Sequence, residues 1–530
     1  MNKFLPRRVI AGSVLLVLAI AAIAAEESDA IGRFEITRYE VTGNTLLDPS
    51  TIDTLLIPFT GKARNFGDVQ RALETLEAAY HALGYNVVQV ALPEQVLKQG
   101  EVRLHVIQTR LGKVRVEGNK AFDDANIRRS VPGLREGESP NIAQISSSLK
   151  LANENPAKKT TLQLQSGDRD DEVNAVLKVE DDKPWRIAAT LDNSGNKSTG
   201  ETQLATQFQY ANVAGTDQVL SLQYTTTLER PSQVSVYGVG YHVPLYALGD
   251  SIDLFASYSD VDSGSVLAGI FNLQVSGRGT VMGARYNQNL RRAGNYESRI
   301  VYGLDYKDYK NNVALSGVQL GNDVTVHPLS IAYGGNWSDG RSEMVFSLTG
   351  MRNIPGGDRG GSADFARLRA GAPAAYSILR YNAGYARSLS NDWQVKVALS
   401  GQYTRDALVP GEQFGAGGAG TVRGFHERDV SNDEGRLISA ELYTPNLCGS
   451  IQSVATQCRA LAFYDAAHLS RNNALPGEDA KASIGSIGLG FRLGMSKHLT
   501  MQMDYGHVVD GGVTQIKGDG RLHIRLGLTY

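Results

Sequence analysis

The last ten residues, RLHIRLGLTY (521–530), alternate without a break. Successive side chains of a strand point to opposite sides. Leu522, Ile524, Leu526, Leu528 and Tyr530 therefore share one face, and Arg521, His523, Arg525, Gly527 and Thr529 the other. A soluble sandwich alternates too, but turns its apolar face inward. Here the apolar face ends in an aromatic and the opposite face carries two Arg and a His, the pattern of a membrane barrel with hydrocarbon outside and charge inside. WQVKVALSGQY (393–403) and HLTMQMDYGH (498–507) behave the same way. From Trp185 onward, segments of about ten residues are separated by turn-rich stretches. About 16 such segments can be counted over the 346 residues from 185 to 530, about 22 residues per strand plus connection, which accommodates spanning strands of about 9–11 residues. Some connections are short, as at 391–392 and 214–217; others are long, as at 354–375 and 407–435. Short turns on one side and long loops on the other belong to an outer-membrane barrel.

Composition changes where the alternation begins. Residues 1–184 hold 12 Gly and 3 Tyr, and residues 185–530 hold 45 Gly and 20 Tyr. Glycine facing a lumen leaves room and lets strands bend. Tyr and Trp favour the bilayer interface, because an apolar ring with a polar tip is stable there. A net charge of -2 argues against a nucleic-acid binder, which carries a basic excess. Gly415, Gly417 and Gly420 match G-x-G-x-x-G in form, but no helix pattern follows, so no nucleotide site is read there. No G-x-x-x-x-G-K-[ST], G-x-S-x-G or H-E-x-x-H is present, and the nine His lack ligand spacing. No enzyme activity, cofactor or metal is expected. Two cysteines are too few for a disulfide framework or a four-cysteine zinc site. Cys448 and Cys458 lie between two predicted strands, at a connection that alternating strand direction puts on the periplasmic side. The reading is a local disulfide tightening that turn, with two free thiols as the alternative.

The N-terminal third is different. Lys3, Arg7 and Arg8 precede an uncharged run from Val9 to Ala25 that ends in small residues, and Glu26 and Glu27 follow. Residues 1–25 therefore read as a signal peptide cut after Ala24 or Ala25 rather than as an anchor. No later run offers about 18 consecutive apolar residues, so no spanning helix is expected after it. Residues 33–109 read as strand, helix, helix, strand, strand. FEITRYEVTGN (34–44) is the first strand, Val69, Ala72, Leu73, Leu76, Tyr80 and Leu83 form one helical face, and Gly84 caps that helix. Residues 110–181 repeat the order after roughly 75 residues, with VEGN (116–119) recurring where VTGN (41–44) stood. Two small α+β modules are the reading.

LPEQVLKQGEVRLHV (92–106), GNKAF (118–122), VPGLREGESPN (131–141), LDNSGNKSTG (191–200), TVRGF (421–425) and AFYDAA (462–467) together resemble the two-partner secretion outer-membrane transporters, the TpsB or haemolysin secretion/activation proteins. The resemblance covers nearly all of the chain after residue 25. It implies a mostly β protein: a transmembrane antiparallel barrel of about 16 strands at 185–530, preceded by POTRA domains at 33–109 and 110–181 in the periplasm of a Gram-negative bacterium. It implies a loop, 407–435, folded back into the pore with Val422, Arg423, Gly424 and Phe425 at its tip. Asp465 is the acidic partner that pins Arg423, since an arginine inside a barrel is costly alone. Tyr530 is the C-terminal outer-membrane signal. The implied activity is secretion of a large exoprotein of haemolysin, adhesin or contact-dependent toxin type, which docks unfolded on the POTRA domains by adding a strand to a sheet edge. Outer-membrane lipid and the barrel-assembly machinery are the other implied partners. Only about seven residues separate Glu26 from the first POTRA strand, so the plug helix of many relatives is not read here. A barrel insertase of the same superfamily and a passive porin or receptor are the alternatives.

Overall fold

The computed structural model describes residues 32–97, 99–169, 171–197, 199–259, 264–268, 271–275, 278–310, 314–315, 318–319, 323–451 and 454–530. The signal peptide read at 1–25 lies outside them. The chain forms two compact units: one takes residues up to 117 with 132–146 and 161–178, the other 118–131, 147–160 and 179–530.

The first unit opens with a three-stranded sheet. Arg38–Thr42 runs parallel to Glu101–Gln108, and Val88–Ala91 runs antiparallel to it. Helices Pro49–Leu56 and Phe66–Ala82 cover it. Phe66–Ala82 begins where Asn65 accepts from the Asp68 N–H and Asp68 accepts from the Asn65 N–H, a reciprocal capping box. It buries Val69, Ala72, Leu76 and Tyr80 against Val88, Val90, Leu104 and Val106. Each fully buried Val or Leu among them contributes about 1.5–3 kcal/mol on leaving water. One strand goes beyond the sequence reading: Gly61–Arg64, paired with Phe34–Ile36. Its four residues, GKAR, carry no apolar alternation.

The second module repeats the sheet: Arg110–Glu117 lies parallel to Glu172–Asp181, with Lys158–Ser166 on the far side of it. The recurring Gly-Asn has a physical cause. Gly43 and Gly118 both adopt positive φ (79° and 90°), and a Cβ on them would sit 2.4 Å from the Val106 carbonyl and 2.5 Å from that of Val179. Only glycine fits where the chain crosses so close to its parallel neighbour. The following Asn44 accepts from the Leu46 and Leu47 N–H groups, and Asn119 donates to the Phe122 carbonyl.

The barrel is closed and antiparallel. Its ring order holds 18 strands. Two are short extensions, Val324–Val326 and Ser450–Ile451, which leaves 16 that span. The first, Trp185–Asp192, pairs with the last, Gly520–Thr529. Ile187, Leu222, Leu254, Leu304, Ile331, Leu348, Leu489 and Leu528 point outward and are exposed, Leu489 by 70%. In water such a belt would aggregate; against hydrocarbon it is the stable arrangement. Their neighbours in sequence, such as Asp253 beside Leu254 and Asp305 beside Leu304, are buried on the inner side. Among the described residues no helix is long and apolar enough to cross a membrane. The long connection at 354–375 contains a helix, Ser362–Leu368, whose Phe365 packs with Tyr376, Leu408 and Val409.

Candidate functional site

Strands Gln394–Tyr403 and Glu434–Tyr443 are joined by residues 404–433, slightly offset from the 407–435 of the sequence reading. This connection turns back inside the barrel. Phe414–Ala416 pairs with Val430–Asn432 as a small hairpin stem. Above it the Thr421 hydroxyl accepts from the Gly417 N–H and donates to the Gly417 carbonyl, at 2.9 and 2.8 Å. The Gly-rich stretch is thus a knotted tip rather than a phosphate cradle.

Arg423 sits at the end of that tip and is 4% exposed. Its Nε donates to Asp465 Oδ2 at 2.7 Å and its Nη2 to Asp465 Oδ1 at 2.8 Å, a two-pronged fork. Nη1 donates to Glu441 Oε1 at 2.7 Å. The Ser439 hydroxyl donates to Asp465 Oδ1 at 2.6 Å. The guanidinium lies 3.5 Å from the centroid of the Phe463 ring. A buried charge costs several kcal/mol unless paired and hydrogen-bonded; here the guanidinium edge is hydrogen-bonded to two carboxylates and one face is covered by Phe463. Asp465 is fully buried on strand Val454–Ser470. Val422 and Phe425 flank Arg423 and are buried with Ala416, Val430, Leu437, Ala467, Leu469, Ile484 and Val508.

Gly424 has φ +96°, and its N–H donates to His523 Nε2 at 2.9 Å. It lies against Gly506, where a Cβ would meet the Gly424 nitrogen at 2.6 Å. The tip therefore rests on four strands: Glu434–Tyr443, Val454–Ser470, Leu499–Asp510 and Gly520–Thr529. A polar cavity of about 1170 Å3 adjoins it, lined by Arg423, Glu441, Arg492, Asp504, His523 and Arg525 among others.

The base of the loop is held separately. Asp433, fully buried, receives a fork from Arg369, the second prong at 2.7 Å, and accepts from the Leu408 and Asn472 N–H groups at 2.9 and 2.7 Å. Glu412 accepts from Lys307 and from the Tyr309 hydroxyl, each at 2.8 Å. Asp433, Glu412, Gly506 and His523 were not singled out by sequence reasoning as site residues. No local pattern marks them: Gly506 and His523 reach the loop only through barrel closure, and Glu412 and Asp433, within the loop, meet their cations only in the folded chain.

Two further placements concern the ends of the strands. Cys448 and Cys458 form a disulfide with Cα atoms 5.2 Å apart, beside the Leu447 N–H bond to the Cys458 carbonyl. Tyr530 exchanges backbone hydrogen bonds with Ile187, and its ring lies 5.7 Å from that of Trp185. Near the same end, Lys158 is wholly buried. Its Nζ lies 2.5 Å from Asp217 Oδ2 and 2.9 Å from Asn126 Oδ1, and the Tyr246 hydroxyl donates to Asp217 at 2.7 Å. Burial pushes the Lys158 pKa down, and the Asp217 carboxylate opposes that.

Comparison with known proteins decides what this architecture is. The profile of the haemolysin secretion/activation protein family ShlB/FhaC/HecB matches residues 171–493, and that of the ShlB-type POTRA domain matches residues 34–109. The chain belongs to the ShlB/FhaC/HecB family. It is a two-partner secretion transporter, an outer-membrane protein that serves a secreted exoprotein partner. Similar proteins include the heme/hemopexin transporter HuxB of Haemophilus influenzae, 21% identical over 79% of this chain and 74% of its own. The outer membrane transporter CdiB of Escherichia coli is 24% identical over 80% and 71%. The hemolysin transporter ShlB of Serratia marcescens is 26% identical over 74% and 69%. The solved structure of CdiB from Escherichia coli superposes with a TM-score of 0.73 over 94% of this chain and 91% of that one, at 20% identity. That of CdiB from Acinetobacter baumannii gives 0.68 over 98% of each, at 15% identity. These likenesses concern the fold.

Proposed function

We propose that this transporter carries an exoprotein of haemolysin, adhesin or contact-dependent toxin type, delivered unfolded to POTRA modules in the periplasm of a Gram-negative cell. Residues 33–109 and 110–181 are the docking modules, and residues 185–530 the pore. Residues 404–433 fill the pore at rest, with Val422–Phe425 as the tip and Asp465 as the pin for Arg423. The observation that carries this reading is the fork from Arg423 to Asp465: a buried ion pair between a loop and the barrel wall, stable only while the loop stays inside. The Cys448–Cys458 disulfide tightens the turn at the periplasmic rim. Tyr530 at the end of the last strand is the signal read by the barrel-assembly machinery, and the outward apolar belt meets outer-membrane lipid. Residues 1–25 are the export leader.

The test is Arg423→Ala beside Arg423→Lys. Each should yield a folded, surface-extractable barrel, and Arg423→Ala should abolish export. Lysine keeps the charge without the fork, so export by Arg423→Lys should fall well below wild type. Wild-type export by Arg423→Ala would overturn the assignment.

A further inference from the structure

We infer that the inserted loop also fastens the barrel seam, through Arg521 and His523 of the last strand. This rests on the reading of residues 404–433 as a pinned loop.

The seam is where the first and last strands meet. Its ladder runs from the Tyr530–Ile187 exchange through the register pairs Thr529–Ala188 to Arg525–Asp192 and ends at a 3.3 Å bond from the Asn193 N–H to the Ile524 carbonyl. The ladder therefore stops partway along the last strand. Asn193 takes over there. Its side-chain amide donates to the Leu522 carbonyl at 2.7 Å and its side-chain carbonyl accepts from the Ile524 N–H at 2.9 Å. One side chain thus supplies both halves of a missing ladder pair.

Two residues on the lumen face of that stretch join it to the loop. Arg521 donates to the Asn193 carbonyl at 3.0 Å and to His426 Nε2 at 3.1 Å. Arginine carries no acceptor, so His426 must accept. His523 accepts the Gly424 N–H at 2.9 Å. A backbone N–H only donates, so His523 Nε2 carries no proton in this state. His523 is 4% exposed and Gly424 is buried against Gly506, where water is a poor substitute. The contacts form an unbroken run: Asp465, Arg423, Gly424, His523 on one branch, and His426, Arg521, Asn193 on the other. When the tip leaves, both branches break: His523 loses the Gly424 N–H, and Arg521, still bonded to the Asn193 carbonyl, loses the His426 ring that holds it in place. The hydrogen bonds of Arg423 and Asp465 go to each other, Glu441 and Ser439, so the hydrogen-bonded route from Arg423 to the seam runs through the tip.

The experiment is amide hydrogen exchange on the full chain in nanodiscs, comparing wild type with Arg423→Ala, His523→Phe and His523→Gln. Phenylalanine keeps a ring and loses the acceptor; glutamine keeps an acceptor. Arg423→Ala and His523→Phe should each speed exchange at residues 187–193 and 522–530 by about three- to ten-fold, the range of one lost hydrogen bond. Exchange in Pro328–Ser338 and Ser342–Asn353, away from the seam, should hold at wild-type rates. His523→Gln should stay near wild type. Faster exchange at 417–429 with an unchanged seam in Arg423→Ala would overturn the inference. So would equal acceleration of every strand. If loop exchange is unchanged in Arg423→Ala, it is the pin that fails, and His523→Phe alone then decides the seam.

Discussion

At the residue scale the site is defined by what only an arginine can do. The Arg423 guanidinium offers a planar fork to Asp465, an edge to Glu441 and a face to Phe463. Arg423 and Asp465 were legible in the sequence through TVRGF and AFYDAA. Asp433 was not, although its fork from Arg369 is as complete. A lone acid before a strand looks the same whether it ends in solvent or under a loop 64 residues away in sequence. His523 was legible as a lumen-facing residue by alternation, but nothing in RLHIRLGLTY names Gly424 as its partner. A separate residue-scale prediction concerns Asp68. The Asn65 backbone N–H at the capping box holds the Asp68 carboxyl below its usual range, burial works against this, and Arg71 adds to it. With the folded pKa below the unfolded one, the contribution is full above the unfolded value and is lost as pH falls through the folded value. Pulse proteolysis of the N-terminal module in the full chain, from about pH 6 to about pH 2, should show wild type losing stability steadily. Asp68→Asn should start lower and lose less over that range. Parallel slopes would show that the box carries no such linkage.

At the element scale the duplicated modules were readable because their signals are local: one helical face, one Gly-Asn crossing, one strand pair. Gly61–Arg64 escaped because a four-residue strand without apolar side chains has no period. The helix Ser362–Leu368 lay inside a connection read only as long. The contact of residues 118–131 and 147–160 with the barrel turns escaped for another reason: Lys158 reads as a surface lysine on an alternating strand, yet it is buried on Asp217 and Asn126. Removing one partner of a buried pair leaves an uncompensated charge, at a cost of about 3–5 kcal/mol. Lys158→Met should therefore loosen residues 118–160, seen as faster limited proteolysis there. Lys158→Met with Asp217→Leu should restore much of the protection, because the stranded carboxylate is gone. Protection unchanged in Lys158→Met would show that the pair holds nothing.

At the scale of the whole molecule, the alternation of the final ten residues foretold the barrel. What it could not supply was closure. Sixteen strands close into one ring, and a loop held at two anchor points from different parts of it turns back inside. The near-neutral net charge hides this: paired charges such as Arg492 with Asp504 and Arg285 with Asp305 lie inside, behind an apolar outer face. This protein secretes a partner exoprotein across the outer membrane. The direct measurement is the release of large exported proteins by cells with and without this chain. One large exoprotein should be released with the wild-type chain, and held in the periplasm without it or with Arg423→Ala. Equal release from cells lacking the chain would contradict this.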